Sequence, residues 1–488
     1  MNGIRILHVC AEFAPLAKSG GLGDVTAGLA GTLAEAGQDV CVVIPRYGMI
    51  DTAMAYVDPQ PAVESTRFNL SGTELSYSVL RQLDTPANLS VFLVDCRELF
   101  GEQHIYGSGD REAHRFMLLS RAALALCRQL EWPPDIVHCH DWHTALLPLL
   151  LSEARGSDRV FEPSSSVLTI HNIGYQGVFP TRVMREAGRA QLLKRFDPVD
   201  VANSEVNFLK TGIEHADALT TVSRTHAREI QSPAYGMGLD PLLRRRSHRL
   251  QGILNGVDHS CWNPATDPAL VRNYTASTLA HKADSKQALI KELGLDIEAG
   301  SPLIGVVSRL VRQKGIDLIV DAAPQIVGGR QVGMAILGAG EPPYAAALRE
   351  LADEFPGQIV FVEAHDETLA HRILAGTDLL LVPSRYEPCG LTQLYALRYG
   401  TVPVVRKTGG LADTIAHYDP GTRQGNGSVF EHADAAGLRW AVNTALGWYS
   451  DHDTWQQLMR NGMAADFSWE HQALEYLSLY GRLLAGRD

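Results

Sequence analysis

Positive charge is scarce in this 488-residue sequence: 43 lysines and arginines stand against 55 aspartates and glutamates, a formal net charge of −12. A chain of that sign is repelled by nucleic acid and by anionic membranes, so neither is expected as a partner, and a phosphate-bearing ligand must meet a local cluster of cations. Cysteine is sparse as well. The seven, at positions 10, 41, 96, 127, 139, 261 and 389, are odd in number, scattered and without a C-x-x-C pair, which excludes a disulfide framework and a cysteine zinc site. Long apolar runs are missing too: the longest, Ala145 to Leu151, has seven residues and contains Pro148, against the roughly 20 of a spanning helix. No basic n-region or cleavage signal precedes the first apolar run, Ile4 to Cys10, so a cytoplasmic protein is expected. There is no G-x-x-x-x-G-K-[ST], no strand ends in G-x-G-x-x-G, and the one D-x-D triplet, Asp451-His452-Asp453, lies in a helical region remote from every motif below. These absences count against a P-loop NTPase and an NAD dehydrogenase.

What is present is an alternation of short β-branched runs with amphipathic segments of helical length, the pattern of βαβ units and parallel sheets. Strands are expected in the first half near Ile4–Cys10, Asp39–Pro45, Ser90–Asp95, Asp135–Cys139, Ser166–Ile170 and Ala218–Val222, with helices near Asp24–Ala36, Ala113–Gln129, Thr144–Ala154 and Phe208–His215. The alternation restarts with strands Leu303–Val307, Gly333–Leu337, Gln358–Val362, Leu379–Pro383 and Thr401–Val405. Helices Ile316–Ile326, Tyr344–Glu354, Glu367–Leu374, Leu391–Tyr399 and Leu411–His417 intervene or follow. A single core stops growing at about 250–300 residues, so the reading is α/β, two Rossmann-like doubly wound domains facing a deep interdomain cleft. The first spans 1–252 and the second begins at 253, where a strand runs into the Asn255-Gly256 turn.

Ligands of such sheets bind beyond the carboxyl ends of the strands. After the first strand, Lys18-Ser19-Gly20-Gly21-Leu22-Gly23-Asp24 enters a helix, where backbone N–H groups can approach an anion and the helix terminus adds about half a positive charge. The same residues also suit a plain tight turn, with Asp24 serving the first helical turn. Ser308 to Gly315 places Arg309 and Lys314 on another helix-entering loop, where a guanidinium fork and an ammonium suit a diphosphate, although surface cations often do nothing specific. Glu387 precedes Pro388-Cys389-Gly390-Leu391-Thr392, a fixed acid beside a turn whose amides open the next helix; Cys389 lacks a His-Asn partner pattern and is not read as a nucleophile. His138-Cys139-His140-Asp141-Trp142-His143 suggests a metal cluster at first, but only His138 and His140 share a strand face and no second ligand group of standard spacing follows, so no metal is assigned. The other reading lines a cleft mouth with Asp141, Trp142 and His143, Trp142 offering its apolar face to a sugar ring. His171 follows another strand and reads either as a structural histidine or as one at the active edge.

The strings KSGGLGD at Lys18, HDWH at His140, HNIGYQG at His171, LNGVD at Leu254, SRLVRQKG at Ser308, SRYEPCGLTQLYALRYG at Ser384 and RKTGGLADT at Arg406 together resemble the bacterial glycogen synthases. These are the ADP-glucose-using members of the two-Rossmann-domain (GT-B) retaining glycosyltransferases, related to plant starch synthases. The resemblance implies glucosyl transfer from ADP-glucose to the non-reducing 4-hydroxyl of an α-1,4-glucan such as glycogen, with retention and without a metal or other cofactor. It implies that the segment 469–488 rejoins the first domain, leaving 253–468 to the second. It places Lys18, Gly20 and Gly21 on the donor, with Asp24 holding their loop, and Arg309 and Lys314 on the diphosphate. His171 would lie beside the anomeric carbon, its backbone carbonyl stabilising positive charge. Glu387 would bind glucose hydroxyls, with the Cys389, Gly390 and Leu391 amides on the sugar and Thr392 on the phosphate. Asn255, Asp141, Trp142 and His143 would line the glucose and acceptor side, with Tyr106 an acceptor or nucleotide contact. Two positions depart from the wider superfamily: Tyr395 stands where a second glutamate would be, as in this synthase branch, and His365 falls where an aromatic ring over adenine is expected.

The chemistry agrees with that resemblance. Leaving a nucleotide diphosphate requires its charge to be neutralised by a metal or by fixed cations, and Lys18, Arg309 and Lys314 are the cations available. No motif supplies a nucleophilic carboxylate for double displacement, so front-face attack is expected. A sucrose- or trehalose-type synthase, a UDP-sugar transferase and a nucleotide-sugar epimerase are alternatives of the same fold. A glucan-binding protein without turnover would have no use for the cation set.

Overall fold

The structure, a computed structural model, describes residues 3–50 and 56–486. The chain divides into two compact units. One contains the residues up to Val222, Ala227–Gly256 and the segment from Trp469; the other contains Ser223–His226 and Val257–Ser468.

The strands of the first unit are β1 (Arg5–Val9), β2 (Asp39–Pro45), β3 (Val63–Leu70), β4 (Thr73–Arg81), β5 (Leu89–Asp95), β6 (Ile136–His140), β7 (Ser165–Ile170), β8 (Val178–Pro180), β9 (Glu205–Asn207), β10 (Ala218–Thr221) and β11 (Leu250–Gly252). Nine form one sheet in the order β11-β10-β7-β6-β1-β2-β5-β4-β3, while β8 and β9 pair separately. Pairing is parallel from β11 through β5 and antiparallel at β4 and β3. The hairpin of β3 and β4 is an addition to the expected strands. Its outer strand is mostly exposed and polar, so it lacks the apolar run that marks a buried parallel strand.

Interior strands here carry polar side chains. His8 on β1 is in register with His138 on β6, and Thr169 on β7 with Thr220 on β10. The polar atoms satisfy one another: His138 Nε2 stands 2.6 Å from Thr169 Oγ1, and Thr169 Oγ1 2.6 Å from Thr220 Oγ1. The C-terminal helix Trp469–Ala485 closes this lane, with the Tyr480 hydroxyl 2.7 Å from His138 Nδ1. Trp469 occupies a notch floored by Gly28 and Gly256, where a Cβ at either position would collide with the indole. Positions 487 and 488 of the segment 469–488 lie outside the described residues.

The second unit holds β12 (Leu303–Val307), β13 (Gly333–Leu337), β14 (Ile359–Val362), β15 (Leu379–Val382), β16 (Val402–Arg406) and β17 (Ser428–Phe430). All are parallel, in the order β14-β13-β12-β15-β16-β17. Strand order therefore reverses between β12 and β15, the switch point at which doubly wound sheets present ligand-binding loops. The core is apolar: Ile304, Val306, Ile336, Leu379, Leu381 and Val404 pack against the helix Ile316–Val327, each burial contributing about 1.5–3 kcal/mol. The helix after β16 runs over Gly409–Thr414, earlier than the expected Leu411–His417, because Gly409 and Gly410 open it. No helix among the described residues is long and apolar enough to cross a membrane.

Candidate active site

In the first unit the loop after β1 folds around a carboxylate. Ser19 N–H and Gly20 N–H donate to Glu12 Oε2 (2.7 and 3.2 Å), Ser19 Oγ donates to Oε1 (2.9 Å), and the Tyr106 hydroxyl donates to Oε1. The Gly20 amide expected to face the donor is therefore engaged within the chain, while Gly21 opens the helix Gly21–Glu35 at the surface. Lys18 Nζ pairs with Asp24 Oδ1 at 2.9 Å, each side chain about one-third exposed. Gly23 lets the helix approach Ala17 and Lys18 closely, at distances a larger residue would crowd. Glu12 escaped the sequence reading because its partners lie up to 94 positions away; the available signal was an acidic residue at the exit of an apolar strand.

Asp141 follows β6 with φ +56°, a conformation costly for a residue with a side chain. Its Oδ1 accepts from His171 N–H (2.7 Å) and Asn172 N–H (3.2 Å). The second bond has a chemical consequence: Asn172 N–H and the His171 carbonyl share one planar trans peptide, so Asp141 orients the carbonyl away from itself. Burial raises the Asp141 carboxyl to about 7, against the opposing pull of the two N–H groups. Asp141 thus acts on the peptide after β7, a different task from lining an acceptor site. Trp142 also departs from expectation. It is 8% exposed, with its ring against Phe116, Phe179, His143 and the backbone of Gly177, so the ring is packed rather than open to a sugar. His143 is buried beside Trp142, stacks on Tyr106 at 5.0 Å and is held neutral by burial, at about 3. Asn255, also buried, has no hydrogen-bond partner for Oδ1.

His8, His138 and His140 bring ring nitrogens close enough to suggest a metal ion, the third histidine coming from β1 rather than from His143. Their environment does not suit one. Both nitrogens of His138 are occupied by Tyr480 and Thr169, and both of His140 by His8 and His171. Three neutral imidazoles would also leave a buried divalent charge uncompensated.

The second unit concentrates its charge at the switch point. Lys314 Nζ is 2.5 Å from Glu387 Oε2, which also accepts from Ser384 Oγ (2.8 Å). Glu387 is 5% exposed, Lys314 partly buried and Arg309 exposed. The turn carrying Glu387 is braced from three sides. Gln313 Nε2 donates to the Tyr386 carbonyl (3.1 Å), Arg406 Nε donates to the Ser384 carbonyl (2.9 Å), and Gly410 N–H donates to the Glu387 carbonyl (3.0 Å). Gly409, at φ +44°, and Gly410 pass so close beneath that a Cβ at either would collide with the Glu387 or Cys389 carbonyl. Cys389 is buried, and the Gln393 side-chain amide donates to the Cys389 and Gly390 carbonyls. Thr392 begins the helix Thr392–Arg398, whose cap supplies no side-chain bond to the first amides. His365 is exposed beyond β14, the strand farthest from β17 in this sheet.

The starch synthase catalytic domain family matches residues 5–245, and the glycosyl transferases group 1 family matches residues 292–458. The glycogen synthase of Anaeromyxobacter dehalogenans is 44% identical over 98% of this chain and all of its own length, and that of Dechloromonas aromatica is 41% identical over both full lengths. The catalytic domain of starch synthase IV from Arabidopsis thaliana, solved with ADP and acarbose, superposes with a TM-score of 0.90 at 34% identity, covering 99% of this chain and 100% of that one. Sucrose-phosphate synthase from Thermosynechococcus elongatus shares the fold at a TM-score of 0.63 and 20% identity. On this identity across nearly the whole length, the chain belongs to the glycogen synthase and starch synthase family of GT-B glycosyltransferases.

Proposed function

We propose that the chain transfers glucose from ADP-glucose to the non-reducing 4-hydroxyl of an α-1,4-glucan with retention, by a front-face mechanism that uses no metal. The observation that carries the reading is the Lys314–Glu387–Ser384 cluster at the switch point, with the exposed Arg309 on the same β12-to-helix loop as Lys314. A buried carboxylate with one oxygen held by an ammonium and a hydroxyl keeps its second oxygen for sugar hydroxyls. The ammonium and the guanidinium lie where negative charge grows as the diphosphate departs. The acceptor oxygen bonds to the anomeric carbon as the bond to diphosphate breaks, the electron pair leaves on the phosphate oxygen, and the acceptor proton passes to that phosphate. The His171 carbonyl, held in direction by Asp141, faces the positive charge that develops on the sugar. Lys18 and the Gly21 amide carry the family's KSGGLGD donor motif, and Asn255 Oδ1 is a buried acceptor without a hydrogen-bond partner. The Asp451-His452-Asp453 triplet supports the metal-free reading: Asp451 caps the helix His452–Ala464 by accepting from Asp453 N–H and Thr454 N–H.

The test is incorporation of radiolabelled glucose into glycogen from ADP-glucose and from UDP-glucose, each with and without chelator. Incorporation from ADP-glucose unaffected by chelator is expected. Chelator-sensitive incorporation would overturn the metal-free mechanism, and none from either donor would overturn the reaction.

A further inference from the structure

A file of imidazoles leads from the interior of the first sheet to the carboxyl edge of β7. His8 Nδ1 and His140 Nε2 are 3.1 Å apart, and His140 Nδ1 and His171 Nε2 are 3.0 Å apart. His8 and His140 are fully buried, whereas His171 is partly exposed. Burial keeps all three rings below the usual histidine range and so neutral. A neutral imidazole has one N–H and one lone pair, so fixing one ring's tautomer fixes the next. Two arrangements satisfy both contacts. Either every ring carries its proton on Nδ1 and the bonds run from His8 to His171, or every ring carries it on Nε2 and they run back.

The far side of His8 decides between them. Its Nε2 is buried without a hydrogen-bond partner, and among backbone groups an orphaned buried N–H is the rarer state than an under-satisfied acceptor, so the lone pair is placed on that side. His138 does not reverse the choice, since its nitrogens are taken by Tyr480 and Thr169 and it meets His8 and His140 through ring faces. We propose that His8 and His140 are positioning residues that lock His171 as its Nδ1–H tautomer, so that the open edge of that ring offers a hydrogen-bond donor and no acceptor. In terms of glucosyl transfer, the reading on which this rests for its kinetic arm, the His171 ring then holds a substrate oxygen and does not take the acceptor proton.

Long-range proton–nitrogen correlation spectra of the full chain, with labelled histidine and His171 assigned by its loss in His171→Gln, read the tautomer without turnover. A protonated Nδ1 on His171 is expected in the parent protein; a protonated Nε2 overturns the proposal, whether or not any variant folds. In His8→Phe the file loses its origin, so His171 should become mixed or reversed and kcat/KM should fall about tenfold. His8→Asn, whose amide N–H issues from the Nδ1 position, should restore both. An unchanged His171 tautomer in folded His8→Phe also overturns the proposal. Predicted tautomers in a chain that transfers no glucose would support the file and count against the reaction alone.

Discussion

The two sheets share a parallel, doubly wound plan and differ in what fills their middle. In the second unit β12, β13 and β15 are built from Leu, Ile, Val, Met, Ala and Gly, and the polar groups stand at the rim, where Lys314, Glu387, Ser384 and Arg406 brace one another. In the first unit polarity runs through the sheet, from His8 and His138 to Thr169 and Thr220. A buried polar network must be satisfied nearly in full to be tolerated, and this one uses the C-terminal helix to complete itself at Tyr480. The shared plan sets where loops emerge. Side chains decide whether the reactive edge is braced from within the sheet or from adjacent loops.

The contrast should be widest in acid. His8, His138, His140, His143 and His171 are all depressed by burial, so below about pH 6.5 the unfolded chain binds protons the folded one refuses. Stability is full above that pH and lost as pH falls, by about 1.4 kcal/mol per pH unit for each group. Asp141, raised to about 7 by burial, has the opposite sign, gaining stability as pH falls below 7, but is one group against five. Hydrogen exchange followed separately in each unit from about pH 7 to 4 should show the first opening before the second; equal losses would erase the contrast. At the second unit's rim, Arg309→Ala and Lys314→Ala should each lower kcat/KM by at least two decades, roughly 3 kcal/mol. Near-normal turnover in both would separate the cluster from the chemistry.

In the sheet interiors, Leu381→Ala should cost about 3 kcal/mol by leaving a cavity. His138→Phe should cost about 2 kcal/mol by stranding the Tyr480 hydroxyl and leaving the Thr169 hydroxyl only Thr220. Urea unfolding measures both, and a cost-free His138→Phe would show that the polar lane needs no mutual satisfaction. The smallest change is expected for Asp141→Asn, whose Oδ1 still accepts from both N–H groups and should leave kcat/KM within about threefold. A loss of a decade or more would mean that the charge matters rather than the orientation of the His171 peptide.

The second sheet was more legible in the sequence than the first, and for the same reason that they differ. Leu303–Val307 and Gly333–Leu337 are uninterrupted apolar runs, and the strands have those bounds. Val63–Leu70, the edge strand, and its neighbour Thr73–Arg81 are interspersed with Thr, Ser, Glu and Arg, so no run marks them. Within the site, the residues that would face substrate announced themselves as motifs at strand ends. Their supports did not: His8 and Arg406 mean something only once β1 lies beside β6, or β16 beside β15, and Glu12 only once Tyr106 is brought against it. Trp142 and Asp141 mislead for a related reason, since an aromatic and an acid at a strand end look open until Phe116, Phe179 and the His171 backbone are brought against them.

The notch that receives Trp469 bears on synthesis. Gly28 and Gly256 leave the ribosome early, yet the indole that fills the space between them is 213 positions behind Gly256. At about 5–20 residues per second that is a wait of roughly 10–40 s, during which His138 also lacks Tyr480. The half of the chain made first is therefore the half finished last, and a nascent chain stalled anywhere in the second unit has an unfilled groove and a His138 whose Nδ1 still lacks its Tyr480 partner.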